Sequence, residues 1–157
     1  MTMNMLGLTL TQPWASLMAL GEKSFETRSW RTNYRGWVAI HAAKGFPNEA
    51  QRVCRQKTVL DALHGLDVDT LPLGKIIAVG RLVECVSTAY MSVSEQERAF
   101  GDYSWGRFAF AFEDIRALAK PIPCKGALRF WDIPAGVAEL LNKAIENGAC
   151  KCLSMLL

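Results

Sequence analysis

The stretch TQPWASLMALGEKSFETRSWRTNYRGWVAIHAAK, residues 11–44, places charged and aromatic side chains between two apolar segments. Its charged and titratable side chains include Lys23, Glu26, Arg28, Arg31, Arg35, His41 and Lys44, and its large rings are Trp14, Trp30, Tyr34 and Trp37. Guanidinium and ammonium groups bind phosphate, and aromatic faces stack on planar rings. The mixture favours a flat, anionic ligand, and we interpret the rest of the chain as the framework that holds this stretch.

A short helix is predicted near the start of this stretch. Pro13 suits the first helical turn, where a missing N–H costs nothing. Trp14, Leu17 and Met18 follow at the i, i+3, i+4 spacing of one buried helix face. Gly21 can adopt the left-handed conformation that ends a helix, so we expect the helix to stop there.

A change of period after the helix predicts a strand. From residue 24 onward every second position falls on one face, which carries Ser24, Glu26, Arg28 and Trp30. Phe25 then points to the opposite face, toward the core. The charged side chains are expected to stay out of the core.

A second strand follows the turn over residues 33–36. Its alternation puts Val38 and Ile40 on one face and His41 on the other. We expect the two strands to present Glu26, Arg28 and His41 to one shared pocket.

Each of these candidates also has a purely structural interpretation. Lys23 and Glu26 could form an ordinary, partly exposed ion pair that contributes about 0–1 kcal/mol. Arg28 and Arg35 could serve solubility, although a planar guanidinium is well matched to phosphate and to stacking on a base. His41 could be a structural histidine whose ring nitrogens are satisfied by hydrogen bonds.

The segment GEKSFETR, residues 21–28, has the spacing Gly-x-Lys-x-x-Glu-x-Arg, and through it the chain resembles the ASCH (activating signal cointegrator homology) domain family. Four flanking motifs are similar to the same family: QPWA at 12–15, YRG at 34–36, IHAAK at 40–44 and GDYSWGRFAF at 101–110. The resemblance extends from Leu8 to Pro134. The chain departs from relatives that carry proline where it has Trp105.

The resemblance implies a small PUA-like β-barrel related to RNA-binding folds. It places a ligand cleft at the eight-residue signature, and it favours a functional role for Lys23 and Glu26 over a purely structural one. Together with the charge and ring pattern, it gives a set of ligand-binding candidates: Trp14, Lys23, Glu26, Arg28, Tyr34, Arg35, Lys44, Tyr103, Trp105 and Arg107.

The remaining elements are mostly strands. Strands are predicted near 6–10, 75–86, 108–112 and 127–131, with a short edge segment between Pro121 and Pro123. Helices are predicted over 47–65 and, at the C-terminus, over 134–147, with a capped helical turn over 94–98. Because strands do not alternate regularly with helices, we predict a mainly β, α+β fold: a small closed or half-closed barrel with flanking helices. Its single core is expected to contain Phe25, Val38, Ile40, Ile77, Val79, Phe108, Phe110 and Phe112.

Length and composition are those of one globular domain. The chain has 157 residues, of which 50% are apolar, so it can bury a core. We therefore expect one domain over residues 1–157, with the C-terminal helix packed on the barrel. The net charge of +3 permits a nucleic-acid partner without requiring one.

The five cysteines have no paired C-x-x-C spacing, and the chain has two histidines, so the sequence predicts no metal site and no cofactor. We expect reduced thiols in the cytoplasm. The N-terminus lacks the basic-then-apolar order of a secretion signal, and no apolar run approaches the ~20 residues that span a bilayer. No membrane association is expected.

Three classes of function remain open at this point. The leading interpretation is a module that binds RNA, another single-stranded nucleic acid or a modified nucleotide through phosphate contacts and base stacking. A second is a hydrolase of RNA or of an acylated nucleoside, with Lys23, Glu26 and His41 as acid–base candidates. The resemblance implies amidohydrolases that use lysine, threonine and glutamate, but here Glu26 occupies the position of the threonine. A third is a protein-interaction domain in transcriptional regulation.

Overall fold

The computed structural model describes residues 4–147 and the backbone of residues 150–151. The strands are β1 (Met5–Leu10), β2 (Phe25–Arg28), β3 (Gly36–Ala42), β4 (Lys75–Ser87), β5 (Phe108–Pro123), β6 (Phe130–Asp132) and β7 (Cys150–Lys151). The helices are α1 (Trp14–Ala19), α2 (Asn48–Cys54), α3 (Lys57–Ala62), α4 (Glu95–Ala99) and α5 (Ala135–Glu146), with short 3-10 turns at Val68–Thr70 and Thr88–Tyr90.

The strands form one curled sheet in the order β2-β5-β4-β3-β1-β6, and β7 pairs separately with β5. Only β1 and β3 are parallel, and the other pairs are antiparallel. Three register shifts between β4 and β5, and one in β3 between Ile40 and His41, interrupt the ladder. Such irregularities bend a sheet, and here they accompany its curvature into a half-barrel.

The inner face of the sheet encloses a core of aliphatic and aromatic side chains. Val38, Ile40 and Phe110 are fully buried there, together with Leu8, Leu10 and Met18 among others. Rings from both ends of the sheet meet in this core: Phe110 of β5 stacks on Phe130 of β6 at 6.0 Å, and Trp30 packs edge-on against both. The contact between rings of β5 and β6 shows that the two ends of the sheet approach each other.

Two further clusters attach the helices. Leu141 of α5 packs with Met5, Ala39, Ile76, Val79 and Trp131 on the other face of the sheet. Leu17 and Leu20, from α1 and its C-terminal end, pack with Phe100 and with Cys54, Val59 and Leu63 from the α2–α3 region. This second group anchors the segment around residue 100 beside the end of α1, where Lys23 also lies.

The predicted mainly β fold with flanking helices is confirmed, and several details of the sequence interpretation are corrected. The predicted helix over 47–65 is two helices, because Gln56 is extended (ψ 139°). Phe25 and Phe108, both predicted in the core, are half-buried, and Val79 belongs to the outer cluster with α5. The segment between Pro121 and Pro123 is the end of β5, and the last predicted strand begins at Phe130. Trp30 lies beyond the end of β2 and packs into the inner core instead of sharing the face of Glu26.

The C-terminal helix matches its predicted limits closely. It runs from Ala135 to Glu146 after Pro134, and Val137, Leu141 and Ile145 contact the outer cluster. No helix in the described part of the chain is long and apolar enough to cross a membrane.

Candidate ligand-binding cleft

Two adjoining cavities of about 330 and 530 Å³ lie at the junction of α1, β2, α2 and the loop over 99–107. Both are lined by Trp14, Glu26, Thr27 and Arg107, so we treat them as one cleft. The smaller part adds Lys23, Ala99, Phe100, Gly101 and Asp102, and the larger adds Thr9, Thr11, Arg28, Pro47, Glu49, Ala50 and Val53.

Lys23 forms the buried end of the cleft, with only 1% of its surface exposed. Its ammonium donates to the carbonyl oxygens of Phe25 and, at 2.7 Å, of Phe100, and its Nζ lies 3.5 Å from Glu26 Oε2. A lysine ammonium has three donors; two of them are taken by carbonyl oxygens, and the ammonium also forms an ion pair with the Glu26 carboxylate. Lys23 is therefore a fixed cation that joins β2 to the residue-100 segment and positions Glu26.

Glu26 and Arg28 form the middle of the cleft. Both side chains are largely buried, with 13% and 21% of their surfaces exposed, and Arg28 Nε donates to Glu26 Oε1 at 3.1 Å. Arg28 Nη2 also donates to the carbonyl oxygen of Thr9 at 2.8 Å. The Nη1 group of Arg28 has no hydrogen-bond partner among the described residues, so it is available to a ligand.

Arg107, from the end of the loop over 99–107, lines both parts of the cleft. Its Nε donates to the Asp102 carbonyl oxygen at 3.1 Å, and its Nη2 donates to the Thr27 carbonyl oxygen at 3.2 Å. Its Nε also lies 3.5 Å from the Asp102 carboxylate, whose pKa is lowered mainly by the Ser104 hydroxyl and amide. As with Arg28, the described residues provide no partner for Nη1 of Arg107.

The cleft thus combines one aromatic wall with balanced charge. Trp14 is half-buried, and its ring packs against Phe100 with centroids 6.5 Å apart. The charged lining residues are three cations, Lys23, Arg28 and Arg107, and three anions, Glu26, Glu49 and Asp102. Such a site offers a ring face, a carboxylate acceptor and two guanidinium donors, which suits a planar, polar ligand carrying one or a few negative charges.

The signature residues are therefore brought together, whereas five other predicted ligand residues lie elsewhere. Tyr34 donates its hydroxyl to the Trp37 carbonyl oxygen at 2.7 Å and packs on Phe130. Arg35 pairs with Glu84 at 2.9 Å on the surface. Neither residue lines the cleft, because the turn before β3 lies beside the inner core and β4.

The two aromatic residues of the loop over 101–107, Tyr103 and Trp105, lie outside the cleft. The Tyr103 ring is half-buried, and its hydroxyl and Glu97 Oε2 are buried without hydrogen-bond partners of normal geometry. Burial, and secondarily the negative charge of Glu97, raise the pKa of Tyr103. Trp105 is 88% exposed, next to Gly106, which has a φ of +86°. Neither ring lines the cleft, and Arg107 is the predicted ligand residue of this block that reaches it.

His41 and Lys44 line a different cavity, so the predicted pocket shared by His41, Glu26 and Arg28 is not found. His41 is buried, its Nε2 lies 2.7 Å from the Cys124 carbonyl oxygen and its Nδ1 lies 3.0 Å from Thr9 Oγ1. A carbonyl oxygen only accepts, so Nε2 carries the proton and Nδ1 accepts from Thr9. Burial lowers the pKa of His41, and the hydrogen bond to Cys124 opposes this effect. The ring is neutral and fully satisfied, as the structural interpretation of this histidine requires.

Several lining residues were not identified from the sequence. Asp102 lies in the GDYSWG block, which resembles the family, so its carboxylate could have been named as a candidate ligand residue from the sequence. Thr27 lies between Glu26 and Arg28, so strand alternation predicts it on the opposite face from the charged residues. Its Oγ1 nevertheless accepts a hydrogen bond from the Asp102 amide at 3.1 Å in the cleft. Thr9 contributes through its carbonyl oxygen, for which residue type carries no signal. No group of three His, Cys, Asp or Glu side chains within the described residues could hold a metal ion.

Comparison with known proteins finds a matching family model and two curated relatives. The family model of the ASCH domain matches residues 8–122, which includes every residue that lines the cleft. Two curated relatives are activating signal cointegrator 1 of Homo sapiens, 29% identical over 143 residues, and that of Mus musculus, 27% identical over 143 residues. In both cases the match covers 88% of this chain but 24% of the relative, so the chain spans about a quarter of the length of these proteins.

Solved structures of ASCH from Zymomonas mobilis have the same fold. One superposes with a TM-score of 0.53 at 14% identity, covering 88% of this chain and 94% of that chain. A mutant form of the same Zymomonas mobilis protein gives a TM-score of 0.53 at 13% identity, covering 88% of this chain and 96% of that chain. At these identities the similarity establishes the fold alone.

Proposed function

The chain belongs to the ASCH domain family, and from this premise we propose that the cleft binds single-stranded RNA or a modified nucleotide. The observation that carries the proposal is the pair of guanidinium groups, Arg28 and Arg107, each of which keeps Nη1 free of partners among the described residues and lines the same cleft. Their other nitrogens are held by backbone carbonyl oxygens and Glu26. The two donors are therefore oriented before a ligand arrives.

The proposed roles follow from the chemistry of each group. Arg28 and Arg107 donate to phosphate or carbonyl oxygens, which are the acceptors that guanidinium groups match best. Trp14 provides a ring face on which an unpaired base can stack. The Glu26 carboxylate accepts from the N–H groups on the edge of a base, because Lys23 and Arg28 leave part of its acceptor capacity unused. Double-stranded nucleic acid does not expose a base in this way.

The experiment is a titration of a fluorescently labelled, short single-stranded RNA at low salt, followed by anisotropy. The parent protein is expected to bind, and Arg107→Ala is expected to weaken binding roughly tenfold, equivalent to the loss of one charge-assisted contact of about 1.5 kcal/mol. Glu26→Gln keeps the shape of the side chain and should change the preference among homopolymeric RNAs.

Arg52→Ala is the matched control, because Arg52 is exposed on α2 and does not line the cleft. It should bind RNA as the parent does. The proposal is rejected if the parent binds neither RNA, single-stranded DNA nor nucleoside monophosphates. It is also rejected if Arg52→Ala is as damaging as Arg107→Ala while both variants remain folded by circular dichroism.

A further inference from the structure

A second cavity, of about 930 Å³, opens beside the ends of β1 and β3 and under the connection from β5 to β6. We call it the second pocket; its lining residues are Thr9, His41, Ala43, Lys44, Leu73, Gly74, Lys75, Pro123, Cys124, Lys125, Gly126, Ala127 and Leu128. Thr9 alone is shared with the cleft. The volume falls in the range of about 300–1,000 Å³ that small-molecule sites occupy.

Hydrogen bonds hold the walls of the second pocket in place. The Cys124 amide donates to the Gly74 carbonyl oxygen at 3.1 Å, and the Gly74 amide donates to the Ala42 carbonyl oxygen at 2.9 Å. The His41 ring donates to the Cys124 carbonyl oxygen at 2.7 Å. Three separate segments are thereby tied together, so the pocket exists before any ligand binds.

Gly126 allows the β5–β6 connection to lie directly on the pocket floor. A Cβ at this position would come within 2.4 Å of Thr9 Oγ1 and 2.7 Å of the His41 ring. Any side chain at Gly126 would therefore push the connection away from β1 and β3. The shape of the pocket depends on this close approach of backbone to side chain.

The charge of the second pocket is uniformly positive. Lys44, Lys75 and Lys125 line it, all three are exposed, and none has an ion-pair partner among the described residues. The lining contains no Asp or Glu. This differs from the cleft, where three anions accompany three cations.

Apolar surface accompanies the lysines. Leu73, Pro123 and Ala127 contribute to the walls, and Leu128 at the rim is 91% exposed. The floor is the neutral His41 ring, both of whose nitrogens are already used by the protein. The apolar walls therefore offer contact surface to a carbon skeleton, while the lysines hold the charge.

We propose that the second pocket binds a small phosphate monoester with an apolar or aromatic body. Three ammonium groups with no opposing carboxylate match the nearly dianionic charge of a phosphate better than the single charge of a carboxylate, and lysine binds phosphate as a point charge. The apolar walls take the body of the ligand. This site is separate from the cleft and does not depend on the function proposed for it.

The test uses 2-naphthyl phosphate as the probe and amide chemical shifts of the ¹⁵N-labelled protein as the readout. Saturable shifts are expected at Gly74, Lys125 and Gly126, and not at the cleft amides of Thr27 and Gly101. The double variant Lys75→Gln/Lys125→Gln should bind the probe at least tenfold more weakly. Inorganic phosphate lacks the aromatic body and 2-naphthol lacks the phosphate. Each should bind the parent at least tenfold more weakly than 2-naphthyl phosphate does.

The matched control is Lys57→Gln/Lys143→Gln, which removes two exposed lysines from α3 and α5 and should leave probe binding unchanged. The proposal is overturned if the parent shows no saturable shifts, if the shifts lie only at the cleft, or if the Lys75/Lys125 variant binds as the parent does. Arg107→Ala separates the two sites: it should reduce RNA binding and leave the naphthyl phosphate shifts intact. Absence of RNA binding in the parent would reject the cleft function without affecting this result.

Discussion

Arg28 Nη2 lies 2.8 Å from the carbonyl oxygen of Thr9, so one guanidinium joins β2 to β1 across a gap that no backbone pairing closes in the described sheet. In the order of the sheet these strands are separated by β5, β4 and β3. The same guanidinium holds Glu26 through Nε. Arg28 is therefore both a wall of the cleft and a link between β2, at one end of the curled sheet, and β1, which is next to the other end.

Arg28→Ala is expected to lower the free energy of unfolding by about 1–3 kcal/mol, because it removes charge-assisted hydrogen bonds in a largely buried setting. Denaturant unfolding measures the change. Arg35→Ala is the matched control, since Arg35 also pairs with a glutamate, Glu84, but on the surface. An exposed pair contributes about 0–1 kcal/mol, so the control should change stability little. Equal losses of unfolding free energy in the two variants would contradict the stabilising link that Arg28 makes between β2 and β1.

Lys23→Met should be the more severe change at the same site. Methionine keeps the unbranched stem of the side chain but lacks the ammonium, so it leaves the Phe25 and Phe100 carbonyl oxygens without this donor and removes a cation from Glu26. Breaking a buried pair in this way costs about 3–5 kcal/mol. The measurement is again denaturant unfolding, with Lys57→Met as control, because Lys57 is exposed and should leave the unfolding midpoint where it is. A midpoint that is unchanged in Lys23→Met would show that Lys23 is not held as described.

The spacing of Glu26 and Arg28 was enough to predict that these two side chains share one face of a strand, whereas the position of Lys23 in the same cleft was implied by the family resemblance. Glu26 and Arg28 lie on one strand, so their relative positions depend on local geometry that the sequence periodicity reveals. The aromatic alternation at Phe110 and Phe112 likewise identified the core strand, because period-two burial is a local property. The family resemblance led to the same segment.

Positions that depend on distant segments were not predictable in this way. Lys23 is buried because Phe100, 77 positions away, supplies a carbonyl oxygen, whereas its own neighbours are polar. His41 and Lys44 belong to the same stretch of residues 11–44 as the cleft residues, yet at and beyond the end of β3 they line the second pocket. The break at Gln56 lies in a segment whose apolar spacing continues across it, so periodicity alone predicted one helix.

His41 predicts a pH dependence of stability. Burial lowers the pKa of the folded imidazole below its unfolded value of about 6.5, so the unfolded chain binds the proton more readily. The contribution of neutral His41 is therefore fully present above pH ~6.5 and is lost as the pH falls below that value toward the folded pKa. Unfolding free energies measured from about pH 7.5 to 5 should decline accordingly.

His41→Gln isolates this effect. Glutamine retains a donor and an acceptor but does not titrate, so the difference in stability between parent and variant should shrink as the pH falls. All other titratable groups are the same in parent and variant, so their contributions cancel in the comparison. A difference that stays constant from about pH 7.5 to 5 would mean that His41 is not held in its neutral form.

The salt dependence of RNA binding tests which cations contact phosphate. For single strands, the logarithm of the binding constant falls with the logarithm of salt concentration by roughly 0.7 per phosphate contacted. If Arg28 and Arg107 each engage one phosphate, the slope of the parent is about −1.4, and Arg107→Ala makes it shallower by about 0.7. Lys44→Ala and Arg35→Ala should leave the slope unchanged, because both residues lie outside the cleft. If Lys44→Ala changes the slope and Arg107→Ala does not, the phosphate contacts lie outside the cleft, near the second pocket.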